Sequence, residues 1–222
     1  MRRPQTASAT AEKSDSGEKP AAAEKIVPGD RIRNRSAKHE AVLETAVALF
    51  NEKGFHATSL DDVAARLHVT KPSIYHYVSS KDEILFACVK RGLQQILAAI
   101  EALPDGRRSG HDRLEAAMTG YALAMTEDFC RCVTRTADSE LAEPSRVEFR
   151  RLKREIDQVM RSLVQAGMDD GSLRPGEPRI VTFTLTGALN WIGRWYEPSR
   201  GLPPGEVASG VVATLLTGLR SA

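Results

Sequence analysis

The side chains best equipped for chemistry lie in one short stretch, and their chemistry is recognition. Thr70, Lys71, Ser73, Tyr75, His76 and Tyr77 fall within eight residues. Their hydroxyls, ammonium, imidazole and phenol rings suit base edges and phosphate oxygens. Ser59 stands upstream of them. Lys81 stands downstream at the start of another helix, where free amides and the ammonium could hold a phosphate. An aromatic residue on so short a helix can also serve packing, Tyr75 above all. Catalysis has no comparable support: there is no Gly-rich phosphate loop, no GxSxG and no HExxH. The five histidines (His39, His56, His68, His76 and His111) never pair at metal-ligand spacing on one helix, so neither a metal nor a cofactor is expected. Cys88, Cys130 and Cys132 read as reduced helix residues, since Cys130-x-Cys132 is not the CxxC spacing of zinc or redox sites.

The elements that must position these side chains are helices. Leu43, Ala46, Val47 and Phe50 fall at i, i+3, i+4 and i+7, and Gly54 closes that helix. Thr58 or Ser59 caps a short helix buried through Val63, Ala64 and Leu67. Thr70 caps a second short helix with Pro72 in its first turn, and Ile74 and Val78 pack inward. Two short helices across so tight a turn form a helix-turn-helix, whose second helix enters the DNA major groove. Ser80 and Glu83 form a full capping box for a long helix running to about Leu103, where Pro104 and Gly106 end it. Further helices are expected from about Asp112 to Thr126, Asp128 to Asp138, Ser145 to Asp170, Glu177 to Tyr196 and Gly205 to Arg220, with a break at Pro144. The fold class is all-α.

Composition sets the frame. With 222 residues, 41% hydrophobic and 27% charged, the chain can bury a core without disulfides or metal. No run of about 18 apolar residues suggests a membrane span, and no apolar segment follows the basic N-terminus, so a cytoplasmic protein is expected. The net charge of +2 is too small to demand a nucleic-acid partner, although residues 31 to 91 hold ten Lys/Arg against seven Asp/Glu. Residues 1–32 have almost no large apolar side chains and read as a disordered extension. Its basic end, Arg31, Arg33 and Arg35, fits either an arm toward DNA or a solvated tail.

The stretch Ala48 to Leu85, ALFNEKGFHATSLDDVAARLHVTKPSIYHYVSSKDEIL, resembles the N-terminal domain of the TetR family of regulators. The resemblance spans about Arg35 to Ile96 and implies a helix-turn-helix DNA-binding domain at 36–96 and an effector-binding and dimerisation domain at 97–222. It implies that Ser59 and Lys81 bind phosphates, that Lys71, Ser73 and His76 face bases, and that Tyr75 and Tyr77 meet the backbone or a thymine methyl. The partner is then a palindromic double-stranded operator, bound by a homodimer.

The C-terminal half adds two expectations. Val207, Val211, Leu215 and Leu219 form one stripe, flanked by Val212 and Leu216, while Gly210, Ala213 and Gly218 allow close approach of a second helix. The helix from Ile180 to Trp195 is apolar around most of its girth, as befits burial against a partner. The family resemblance makes the last two helices the dimer interface. The run GALNWIGRWYEPSRG, from Gly187 to Gly201, is similar to a motif of members released by acyl-CoA thioesters. An apolar cavity lined by Met118, Tyr121, Met125, Phe129, Phe183 and Trp191 would take the acyl part. Arg194, or the run Arg146, Arg150, Arg151 and Arg154, would meet phosphates. The same stripes also fit plain core and solvated helix faces, and an effector-free or architectural DNA-binding protein is the alternative.

Overall fold

The computed structural model describes residues 28–102, 108–199 and 201–217. Expectations on residues 1–27, Leu103 to Gly106, Gly218 and Leu219 lie outside them. The described helices are α1 (Pro28–Lys53), α2 (Leu60–Arg66), α3 (Lys71–Tyr75), α4 (Lys81–Glu101), α5 (Gly110–Ala124), α6 (Asp128–Arg135), α7 (Glu143–Asp169), α8 (Pro178–Trp195) and α9 (Pro204–Thr217). A 3-10 turn at Asp138–Glu140 links α6 to α7. Among the described residues there is no strand, and no helix is long and apolar enough to cross a membrane.

The caps explain most boundaries. Gly54 has φ +87, a left-handed conformation that costs glycine little, and its N–H donates to the Phe50 carbonyl. Ser59 and Asp62 form a reciprocal capping box on α2. The turn between α2 and α3 rests on His68 at φ 55, a strained place for a residue with a Cβ.

Four expectations need correction. The backbone of α1 is helical from Pro28, so Arg31 to Arg35 continue the first helix instead of forming a separate arm. Thr70 occupies the N-cap position of α3 but its hydroxyl caps no amide, lying instead 2.9 Å from the Ser73 hydroxyl. The Glu83 amide donates to the Ser80 hydroxyl at 3.1 Å, but the Glu83 carboxylate accepts from Ser79 N–H, so the box is displaced by one residue. Pro144 does not break the chain. It sits in the first turn of α7, where its missing N–H has no intrahelical partner to lose.

One hydrophobic cluster runs through both halves, from Val42 and Phe50 on α1 to Val212 and Leu216 on α9. The spine is α4, which packs most extensively on α6 and also meets α5 and α7. The close approach of α4 to α6 is set by Gly92, where a Cβ would stand 2.3 Å from the Phe129 carbonyl oxygen. The α9 stripe is split. Val207, Ala208, Val212 and Leu216 are buried against this chain's own helices, Val211 and Leu215 are half-buried, and Gly210 and Ala213 are exposed. The cause is the docking of α9 on α5, which takes part of the face expected to serve a partner.

Candidate nucleic-acid interface

The helix-turn-helix is held from beneath by Ile74 and Val78, 1% and 3% exposed. They pin α3 so that its other side faces outward. Thr70, Lys71, Tyr75 and His76 are exposed and Ser73 and Tyr77 are half-buried. Tyr77 also packs against the core. Tyr75 is 52% exposed, so about half of its surface is open to a partner. Neither the Tyr75 hydroxyl nor the His76 ring has a hydrogen-bond partner among the described residues.

Other members of the predicted set carry internal duties. The Lys71 ammonium lies 2.7 Å from the Asp61 carboxylate, and this hydrogen bond and the opposite charge raise its pKa. The pair ties the start of α3 to α2 and stays open to solvent, so a phosphate can compete for the ammonium. The Ser59 hydroxyl both donates to Asp62 at 2.7 Å and accepts the Asp62 N–H. That contact, with Lys53 and the Ser59 amide, holds the Asp62 carboxyl well below the usual carboxylate range. Lys53 is paired with Asp62, and Arg66 with Glu52.

Lys81 has a role that the sequence does not disclose. Its ammonium donates to the carbonyls of Phe55 and Thr58 at 2.9 and 3.0 Å and sits 4.2 Å from the Phe55 ring centre. One lysine thus fastens the start of α4 to the loop before α2, with one donor left for a phosphate. Lys81→Ala removes both of these bonds, leaving the Phe55 carbonyl only the Thr58 N–H, at a cost of about 2 kcal/mol. The expected result is a melting temperature lower by about 4–8 °C, with weaker operator binding and a nearly unchanged salt slope. A slope reduced by about one unit at constant stability would make Lys81 chiefly a phosphate ligand.

Two exposed polar side chains on a short helix braced from behind fit a helix-turn-helix, and comparison with known proteins decides which kind. Residues 42–88 match the bacterial regulatory proteins of the tetR family, and residues 107–219 match the tetracyclin repressor-like C-terminal domain. The chain belongs to the TetR family. This TetR-family chain is therefore a DNA-binding transcription regulator, and its family is not one of enzymes. The HTH-type transcriptional repressor KstR2 of Rhodococcus jostii (strain RHA1) is 23% identical over 197 residues, 87% of this chain and 97% of that protein. The solved TetR family regulator PfmR from Thermus thermophilus is 28% identical with TM-score 0.71, covering 81% of this chain and 99% of that one. AibR, solved in complex with isovaleryl coenzyme A and operator DNA, has TM-score 0.69 at 24% identity, covering 80% of this chain and 97% of that one.

The C-terminal half of this TetR-family regulator holds a cleft of about 490 Å³. Of the residues expected to line a cavity, Tyr121, Phe183, Trp191 and Arg194 do so. Met118, Met125 and Phe129 do not. Met118 and Met125 are 0% exposed, enclosed between helices, with Met125 beneath Gly193 of α8. Phe129 lies against α4, with the Arg91 guanidinium 4.1 Å from its ring centre. The arginine run is also elsewhere: Arg146 pairs with Glu143, Arg150 with Asp138, and Arg151 with Glu148 and Glu155, and none of the four lines the cleft.

Sequence reasoning missed Thr134, Thr136, Lys153, Asp157 and Asn190, which supply polar groups to the cleft wall. Asn190 accepts from the Tyr121 hydroxyl at 2.9 Å, and burial pushes the Tyr121 phenol up. No periodicity marks such residues, since their helices meet only in the folded chain. The three cysteines are free and buried, and burial pushes the Cys130 and Cys132 thiols up to about 12. His111, Asp112 and Glu115, at the start of α5, bring three donor atoms within 4.8 Å of one another, a grouping the histidine spacing did not suggest. Both acids are exposed.

Proposed function

We propose that this chain is a repressor that occupies a palindromic operator as a homodimer and is released when a small molecule fills the cleft. Residues 36–96 form the reading head and residues 97–222 the effector and dimerisation part. The observation that carries this reading is the place of α6. Val133 and Thr134 at its end line the cleft, while Asn51 of α1 bonds Asp128 at its start, with Nδ2 donating to the Asp128 carbonyl and carboxylate at 2.9 and 3.2 Å. One short helix thus touches both the effector space and the reading head. An effector-free protein has no need of such a cleft.

The effector class proposed is an acyl-CoA thioester. A volume near 490 Å³ suits the acyl chain and the thioester arm, with Phe183 and Trp191 as apolar wall. Lys153 and Arg194 supply cations for phosphates. AibR, whose fold this chain shares, takes isovaleryl coenzyme A. The dimer contact proposed is the outer face of α8 with α9, where Ile180, Phe183, Trp191 and Trp195 stand exposed as an apolar surface that a second copy would cover.

The test is fluorescence anisotropy on an operator duplex selected from genomic DNA by the full-length protein. Isovaleryl-CoA and longer thioesters should weaken operator binding by about 10-fold or more, whereas coenzyme A and the free acids should not. If no thioester shifts the binding curve, the effector class is wrong.

A further inference from the structure

Arg135 closes α6, and its guanidinium lies where three helices end. Nη1 donates to the Asn51 carbonyl in the last turn of α1 at 2.9 Å. Nε donates to the Gly193 carbonyl at 3.3 Å and Nη2 to the Arg194 carbonyl at 3.2 Å, both in the last turn of α8. Final-turn carbonyls have no partner within their own helix and carry the negative end of its dipole. A planar, rigid fork of donors on a permanent cation can reach carbonyls on two separate helix ends at once, with a fixed geometry that a compact ammonium lacks. Among the described residues Arg135 has no carboxylate within ion-pair distance. Burial, then the neighbouring Arg131 and Arg194, lowers its pKa, so the helix ends are what hold it there.

Its neighbours connect it to the cleft. Thr134 and Thr136, on either side of it in sequence, line the cleft, and so does Arg194, whose carbonyl it holds. Asn51 meets α6 twice, through its side chain at Asp128 and its carbonyl at Arg135. A shift of the last turn of α8 against α6 must therefore disturb the bond from Arg135 to α1.

We propose that Arg135 is the positioning residue that couples the cleft to the reading head, by fastening the C-terminal turns of α1 and α8 to the end of α6. The direction of signalling from cleft to operator rests on the function proposed above. The mechanical link does not, because coupling between two sites is reciprocal and operator binding must be felt at α8.

Full-length Arg135→Gln and Arg135→Lys test it by two readouts beside a melting curve. The first is amide hydrogen exchange at residues 192–197 with and without the selected operator duplex. The second is the shift in operator affinity caused by isovaleryl-CoA. In the parent, operator binding should alter exchange at these residues. In Arg135→Gln that response should vanish, and any thioester effect should fall by about 5-fold or more, while operator affinity alone stays within about 3-fold. Arg135→Lys keeps the charge but lacks the planar fork that reaches both helix ends together, and should give a partial response from a fully folded protein. A parent whose α8 does not respond to operator, or a folded Arg135→Lys and Arg135→Gln that respond as the parent does, would overturn the proposal. A thioester without effect on the parent, alongside an exchange response lost in Arg135→Gln, would remove the effector class and uphold the coupling.

Discussion

Replacing Tyr75 and His76 together by alanine should weaken operator binding by about 100-fold, from two lost contacts of roughly 1.4 kcal/mol each. The melting temperature should stay within about 2 °C, because exposed positions away from packing usually change stability little. Both side chains are exposed, and Ile74 and Val78 anchor α3 without them. Anisotropy titrations on the operator and a scrambled duplex give the answer. Base contacts predict a larger loss on the operator than on the scrambled duplex, since phosphate contacts carry no sequence information. A uniform loss on both would move the two residues to the phosphate backbone. A loss below about 3-fold would show that the groove-facing surface lies elsewhere.

Gly92→Ala should destabilise the protein by about 3 kcal/mol, lowering its melting temperature by roughly 6–12 °C. A Cβ there would meet the Phe129 carbonyl oxygen at 2.3 Å and its carbon at 2.7 Å, both backbone atoms that no rotamer change can move. The Val133 side chain lies 2.8 Å away on the same helix. Relief requires α4 to separate from α6, the partner on which it packs most extensively. Since α3 leads directly into α4, that separation also re-aims the reading surface, and operator affinity should fall with stability. The clean comparison is Gly187→Ala on α8, where a Cβ meets nothing within 4 Å and the melting temperature should not drop. Equal melting curves for parent and Gly92→Ala would mean that the α4–α6 contact is not the tight joint described.

The reading head was legible because its signals are local. Ser59 with Asp62, Gly54 before the loop, and Ile74 with Val78 on one side of a short helix each act within a few residues. Chain chemistry of that range survives without knowledge of the fold. The predicted duties of Ser59 and Lys81 show where locality ends. Each residue is placed as expected, yet Lys81 bonds the carbonyls of Phe55 and Thr58, far back in the chain.

The sequence by itself determined an all-α chain of the TetR type, the position of its helix-turn-helix and the outward face of α3. Only the tertiary structure decided which apolar residues became wall and which became core. Periodicity reveals that a helix face is apolar and says nothing of what lies opposite. Met118 and Met125 therefore went into the interior, while Tyr121, Phe183 and Trp191 reached the cleft. The meeting of three helix ends at Arg135 is of the same kind, since the carbonyls it satisfies belong to turns that come together only when the chain is folded.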